Sequence, residues 1–91
     1  MTDVPALAAA LATDRYTHTA LADGTGVILD IDGMHVLTLN LTGEFLVAAM
    51  LAGATDEPDL VARLVAEFEV EELQAREDVS AFLAEVGQYL T

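Results

Sequence analysis

The sequence of 91 residues contains no cysteine, no lysine and no tryptophan. Without cysteine, neither a disulfide bond nor a thiolate metal site can form. No apolar run approaches the roughly 20 residues that a transmembrane helix requires. The N-terminal residues also lack the positive charge that begins a secretory signal. We therefore expect a cytoplasmic protein that does not enter the membrane.

Positive charge is nearly absent as well. Sixteen acidic residues face only Arg15, Arg63 and Arg76, which gives a net charge of −13. Phosphate groups are bound through lysine and arginine, so nucleic acid and anionic membrane surfaces are disfavoured as partners. Solubility is the simpler explanation of the acidity, and attraction of a basic peptide or partner surface is the other.

Residues that carry out chemistry are few and scattered. His18 and His35 are the only histidines, 17 positions apart, and Ser80 is the only serine. No metal-ligand spacing or nucleophile–base pair is present. Asp30 and Asp32 lack the rest of a calcium loop. We therefore expect a binding module rather than an enzyme, without metal or cofactor.

Three strands are predicted in the first half of the chain. Residues 16–21 are rich in β-forming side chains, and two further apolar runs, 27–31 and 34–39, flank Asp32-Gly33. An Asp-Gly pair between apolar runs is a strong hairpin signal, because both turn positions favour positive φ. A two-residue loop would pair Ile31 with Met34.

The same loop fixes which side chains share a face of the hairpin. It also sets Leu29 opposite Val36 and Ile28 opposite Leu37, so that both faces carry apolar side chains. In a hairpin with one solvated face, apolar and polar side chains would alternate more regularly along each strand. One face should pack on helices, and the other should be covered by the N-terminal segment, a second subunit or a ligand.

Helices are predicted to fill the remainder of the chain. Residues 1–15 form an N-terminal arm or a short helix, and residues 16–91 form the main domain. Asn40 or Thr42 can cap a helix that ends at Gly53, and two further helices follow. The order of elements predicts an α+β fold that is winged helix-turn-helix-like, with a three-stranded antiparallel sheet followed by three helices.

An ordered set of short motifs links these elements to a known family. In chain order, the motifs are Val27-Ile28-Leu29-Asp30, Leu39-Asn40-Leu41-Thr42-Gly43, Leu51-Ala52-Gly53, Leu60-Val61-Ala62-Arg63-Leu64, Phe68-Glu69-Val70 and Asp78-Val79-Ser80-Ala81-Phe82-Leu83-Ala84-Glu85-Val86. With these motifs the chain resembles the PqqD family, whose members are also called RiPP recognition elements. The resemblance covers about residues 16–90.

The resemblance implies a function for the last strand and the last helix. Members of the family bind the leader segment of a ribosomally made precursor peptide and present it to modifying enzymes. The leader is added as a strand beside the third strand and packs against the third helix. On this sequence the strand is residues 34–39 and the helix is residues 75–90. The peptide-binding residues implied are Met34, His35, Val36, Leu37, Thr38, Asp78, Phe82 and Val86.

The resemblance also bears on the pathway and on the partners. A short separate chain suits a lasso-peptide pathway, in which a leader peptidase and a cyclase act beside it. Relatives often carry tryptophan where this chain has Val47, and aromatic residues in the third strand that this chain lacks. The alternative is a structural, dimerising or transcription-related protein without leader binding. Monomer and dimer are both compatible with the sequence.

Overall fold

A computed structural model describes residues 3–90 of the chain. Its elements, in chain order, are α1 (Val4–Leu11), β1 (Tyr16–Ala20), β2 (Gly26–Asp30), β3 (His35–Leu39), α2 (Leu41–Leu51), α3 (Glu57–Phe68) and α4 (Glu72–Leu90). The predicted α+β fold, a three-stranded sheet followed by three helices, is confirmed, and α1 precedes the sheet. None of the helices within residues 3–90 has the length and hydrophobicity needed to cross a membrane.

The three strands form an antiparallel sheet in the order β1-β2-β3, with β3 at an edge. Leu29 lies opposite Val36, as predicted, and the rest of the ladder keeps that register. The predicted pairing of Ile31 with Met34 is wrong, because the ladder ends at Asp30 and the next four residues form a turn. Positive φ occurs at Met34 (φ 54°) instead of at the Asp-Gly pair.

The two faces of the sheet have different surroundings. Ile28 and Leu39 point into the core and are 0% and 6% exposed. On the opposite face, Leu29 and Val36 are 40% and 62% exposed. Neither α1 nor any other element within residues 3–90 covers this outer face.

Helix α1 instead packs against α2, α4 and β1. It buries Val4 and Leu11, and the side chain of Asp3 caps its first turn by accepting a hydrogen bond from the backbone N–H of Ala6. Of the predicted arm, residues 3–15 thus contain a helix that shares the core of the protein. The division of the chain into residues 1–15 and 16–91 stays a prediction. Residues 1–2 and 91 of these two segments lie outside the described residues.

Capping residues set where the central helices begin. Asn40 caps α2, since its Oδ1 accepts a 2.8 Å hydrogen bond from the N–H of Gly43. Asp56 caps α3 in the same way through the N–H of Asp59. Gly53, with φ 111°, reverses the chain after α2. Together the elements enclose one core, whose largest fully buried side chains are Ile28, Leu46, Met50, Leu60, Leu64, Val4, Val47, Val79 and Val86.

A polar contact ties β1 to the start of α2 beneath the sheet. Glu44 is 8% exposed, and its Oε1 lies 2.7 Å from His18 Nε2. The carboxylate also lies against Gly26, where an added Cβ would meet Glu44 Oε1. Glycine at this strand position therefore lets the Glu44 carboxylate approach the strand without being displaced.

The connection from α3 to α4 contains a strained residue. Glu69 caps the C-terminus of α3 in the left-handed conformation, with φ 53°. Helix α4 then begins at Glu72, three residues before the predicted start at Ala75. A residue with a Cβ is held here in a conformation that favours glycine.

We expect the substitution Glu69→Gly to stabilise the protein by about 0.5–1 kcal/mol. Left-handed backbone costs a residue with a Cβ about 1–2 kcal/mol, and the greater freedom of glycine in the unfolded chain offsets part of the gain. Urea unfolding followed by circular dichroism measures the change. Glu69→Ala is the control, since it removes the same charge but keeps Cβ. Equal stability of the two variants would contradict the explanation by backbone strain.

Candidate functional site

A groove of about 600 Å³ lies between the edge strand β3, the start of α2 and one side of α4. The residues that line it are Leu37, Thr38, Leu39, Asn40, Thr42, Gly43, Leu46, Asp78, Ala81, Phe82 and Glu85. Its floor is apolar, because Leu46 and Phe82 are 0% and 9% exposed and belong to the core. Its rim is polar and includes two carboxylates.

The outer edge of β3 has no strand beside it within residues 3–90. A strand at the edge of a sheet carries backbone N–H and C=O groups without a ladder partner, which an extended chain can pair with. The groove runs along this edge at Leu37, Thr38 and Leu39. Main-chain groups for pairing and a cavity for side chains therefore lie side by side.

The wall on α4 is formed by residues at helical spacing. Asp78, Ala81 and Glu85 follow one another at three and four positions, so they lie on the same face of the helix. The small side chain of Ala81 leaves a gap between the two carboxylates. Asp78 accepts a 2.9 Å hydrogen bond from the side-chain amide of Gln74 one turn earlier.

The structure brings together some of the predicted site residues. Leu37, Thr38, Asp78 and Phe82 all line the groove. Val86, one turn beyond Phe82 on α4, is 1% exposed and belongs to the core, so it can only support the wall from behind.

The other predicted residues lie near the turn. Met34 is 85% exposed within the turn, and Val36 lies on the outer face of the sheet. His35 is exposed, and its carbonyl oxygen accepts a hydrogen bond from the hydroxyl of Tyr89 on α4. These three residues do not line the groove.

Sequence reasoning missed part of the lining. Asn40, Thr42 and Gly43 enter the groove because α2 starts directly after β3. The cap at Asn40 was a signal for this proximity. Ala81 and Glu85 were also missed, although their spacing from Asp78 places them on the same helical face.

Asp30 holds the turn that precedes β3. It is 4% exposed, and its two carboxylate oxygens accept hydrogen bonds of 3.0 and 3.1 Å from Nε and a terminal nitrogen of Arg15. The backbone N–H of Gly33 donates to the same carboxylate at 3.1 Å. The bond from Arg15, followed by that from Gly33, lowers the pKa of Asp30 to about 2. The hairpin turn is thus held by the buried, ionised side chain of Asp30.

Tyr89 connects the end of α4 to the same hairpin. Its hydroxyl lies 2.9 Å from the carbonyl oxygen of His35 and 3.1 Å from that of Ile28, and its proton is shared between these two acceptors. Its ring packs against Tyr16 with centroids 5.9 Å apart. Burial raises the pKa of Tyr89 further above neutral pH, where the hydroxyl is protonated and donates. This contact joins the end of α4 to β3 next to the turn.

A second cavity, of about 660 Å³, lies between α3 and α4. Pro58, Val61 and Val65 of α3 face Arg76 and Ser80 of α4 across it. These positions of α4 lie on the opposite flank of the helix from Asp78 and Glu85. Among residues 3–90, no group of three or more histidine or acidic side chains is placed to hold a metal ion.

Comparisons with known proteins give a family and a fold. The family model of PqqD, described as coenzyme PQQ synthesis protein D, matches residues 25–89. The structure of TbiB1 in complex with the TbiA(beta) leader peptide has a TM-score of 0.74 at 18% identity, over 85% of this chain and 87% of that one. Lasso peptide synthetase B1 complexed with the leader peptide has a TM-score of 0.71 at 25% identity, over 85% and 88% of the two chains. No curated protein matches the sequence.

The role of Asp30 predicts a specific dependence of stability on pH. Its pKa in the folded protein, about 2, is lower than the ordinary value of 3.8 for an aspartate side chain. The stability it contributes is therefore complete above the unfolded pKa and is lost as the pH falls towards the folded pKa. We expect Asp30→Asn to remove this part of the loss between about pH 4 and pH 2.

Urea midpoints of the wild type and of Asp30→Asn across this pH range measure the difference. Asp32→Asn, in the exposed part of the same turn, is the control and should keep the dependence of the wild type. If the difference between wild type and Asp30→Asn is constant with pH, Asp30 does not titrate as the Arg15 contact requires.

Proposed function

The chain belongs to the PqqD family, as its motifs predicted, and on that premise we propose that it is a non-catalytic peptide chaperone. In this proposal it binds the leader segment of a ribosomally synthesised precursor peptide by strand addition. It then presents the peptide to modifying enzymes, such as a leader peptidase or a cyclase, in the cytoplasm. No cofactor takes part.

The observation that carries the proposal is the edge of β3, which has no neighbouring strand within residues 3–90, beside a groove with core side chains beneath it and a polar rim. In strand addition, main-chain hydrogen bonds supply affinity and pockets for alternate side chains supply specificity. Here the edge provides the first requirement. The groove over Leu46 and Phe82 provides the second.

The comparisons support the same function. The two solved structures named above are complexes with leader peptides, and one is a lasso peptide synthetase B1. A lasso-peptide pathway is accordingly the proposed setting for this chain. A separate leader peptidase would be the first enzyme to receive the bound peptide.

The geometry also suggests how the guest strand would lie. Successive side chains of a strand point to opposite faces, so every second guest residue would enter the groove towards α4. The residues between them would extend the outer face of the sheet next to Val36 and Thr38. The predicted contacts of Met34 and His35 would then involve the end of the guest that lies nearest the turn.

A peptide titration followed by NMR tests the proposal. Synthetic peptides that cover the leader regions of precursor-like reading frames encoded next to this gene are the probes. We expect amide shifts concentrated in residues 34–43 and 78–89. Proline substitutions within the pairing stretch of the peptide should weaken binding, because proline lacks the N–H that the ladder requires. If all candidate leaders leave these amides unmoved, the proposal fails.

A pair of alanine variants tests whether the groove itself is the site. Ala81 and Ala84 are both exposed on α4, but only Ala81 lines the groove. We expect Ala81→Phe to fill the gap and to weaken peptide binding at least tenfold, whereas Ala84→Phe should bind like the wild type. Isothermal titration calorimetry measures both affinities, and circular dichroism checks the fold. Equal affinity in the two variants would place the peptide elsewhere.

The second candidate function is self-association through the same edge. The exposed apolar side chains of Met34 and Val36 beside an unpaired strand favour it. Sedimentation equilibrium with and without peptide separates the two functions. A tight dimer that the peptide does not dissociate, and that leaves the groove amides unmoved, would favour a purely structural role.

A further inference from the structure

We infer that the groove selects a guest peptide with a lysine or arginine two residues from an apolar anchor. The apolar side chain would occupy the gap at Ala81, and the cation would pair with Asp78 or Glu85. This inference rests on the proposed function, because it specifies the peptide that binds at the β3 edge. It concerns the charge of the groove, which strand addition alone does not determine.

The first argument is that all three arginines of the chain already have carboxylate partners. The pairs are Arg15 with Asp30 at 3.0 Å, Arg63 with Asp59 at 3.1 Å and Arg76 with Glu72 at 2.7 Å. The sequence has no lysine to add to them. Among residues 3–90, no arginine forms a salt bridge with Asp78 or Glu85. A cation that balances these two carboxylates must therefore come from outside the chain or from solvent.

The second argument is the distribution of charge in the groove. Its lining contains Asp78 and Glu85 and neither lysine, arginine nor histidine. The remaining polar lining, Asn40, Thr38 and Thr42, is uncharged. An acidic guest side chain would meet like charge here, which is unfavourable and lowers the rate of encounter. With the net charge of −13, both the local and the overall field favour a basic guest.

The third argument is spacing. Ala81 lies three residues after Asp78 and four before Glu85, which corresponds to about 4.5 Å and about 6 Å along the helix axis. Side chains on one face of a guest strand are about 7 Å apart. For a guest strand that runs along α4 with an apolar side chain in the gap at Ala81, the next groove-facing guest residue would lie near one of the carboxylates. Lysine and arginine have long, flexible side chains that reach such a position.

Selection from a random peptide library tests the inference. A phage-displayed library of random twelve-residue peptides is panned against the full chain, against Asp78→Asn/Glu85→Gln, and against Glu67→Gln/Glu71→Gln. The last variant is the matched control, since it removes two negative charges at exposed positions outside the groove. We expect the wild type and the control to enrich peptides with an apolar residue and a lysine or arginine two positions apart. The groove variant should retain the apolar preference and lose the basic one.

Two failures of this experiment have different meanings. If the wild type enriches no peptides that shift the amides of β3, the proposed function itself fails. If enriched peptides shift those amides but carry no basic preference, or keep it in Asp78→Asn/Glu85→Gln, peptide binding stands and the inference is overturned.

Affinity gives an independent measurement. An enriched peptide should bind the groove variant about fivefold to tenfold more weakly than the wild type, as expected for two solvent-accessible ion pairs. Raising the salt concentration should reduce this difference. Binding to Glu67→Gln/Glu71→Gln should stay within about twofold of the wild type, because charges outside the contact act only through the screened overall field. An equal loss in the two double variants would mean that net charge, and not the groove, determines the preference.

Discussion

The carboxylate of Asp30 is 4% exposed, and it accepts hydrogen bonds from Arg15 on two oxygens and from the backbone of Gly33. Burial of a charge is unfavourable unless it is paired and hydrogen-bonded, and here the partners come from the residue before β1 and from the turn between β2 and β3. The strand that follows has only β2 beside it, so its position depends on this turn. Tyr89 then fixes the same strand to α4 through the carbonyl oxygen of His35. These two contacts join β3 to the turn and to α4, and the outer edge of the strand has no strand beside it within residues 3–90.

Much of this fold follows from pattern. The apolar runs around Asp32-Gly33 predicted the register of β2 and β3, because a pairing shifted by one residue would turn Ile28 away from the core. A cap at Asn40 or Thr42 predicted the start of α2, and in the structure it is Asn40 that accepts a hydrogen bond from a free N–H of the first turn. Alternation also predicted that one face of the hairpin would lie on helices. Local signals of this kind involve residues close together in the sequence.

The remainder depends on contacts between residues far apart in the sequence. Arg15 pairs with Asp30 from a position 15 residues earlier, and nothing in the turn's own residues indicates this pairing. The close approach of Glu44 to Gly26 likewise arises only when α2 packs on the strand. The family resemblance implied that both Phe82 and Val86 line the groove. Phe82 does, whereas Val86 is buried by the packing of α4 as a whole.

The acidity of the chain acquires a more local meaning from the structure. A uniform negative surface would serve solubility alone, and most of the acidic residues fit that explanation. Each arginine, however, pairs with a carboxylate outside the groove. Within residues 3–90, no arginine therefore pairs with Asp78 or Glu85 beside the edge of β3. The groove therefore differs from the surrounding surface in having an apolar floor as well as negative charge. Overall acidity attracts basic partners in general, whereas this combination restricts them to a defined pattern.

Two departures from the family pattern lie in different places, one in the core and one beside the groove. Val47, where relatives often carry tryptophan, is 0% exposed, so the smaller residue is accommodated by packing and leaves no opening to the surface. The aromatic residues that relatives often have in the third strand are absent from β3, and the groove beside Leu37 has a volume of about 600 Å³. Close packing of an interface requires that such a volume be filled by one partner or the other. Since the protein contributes only small side chains at Ala81 and Gly43, the bulk that completes this interface has to come from the guest.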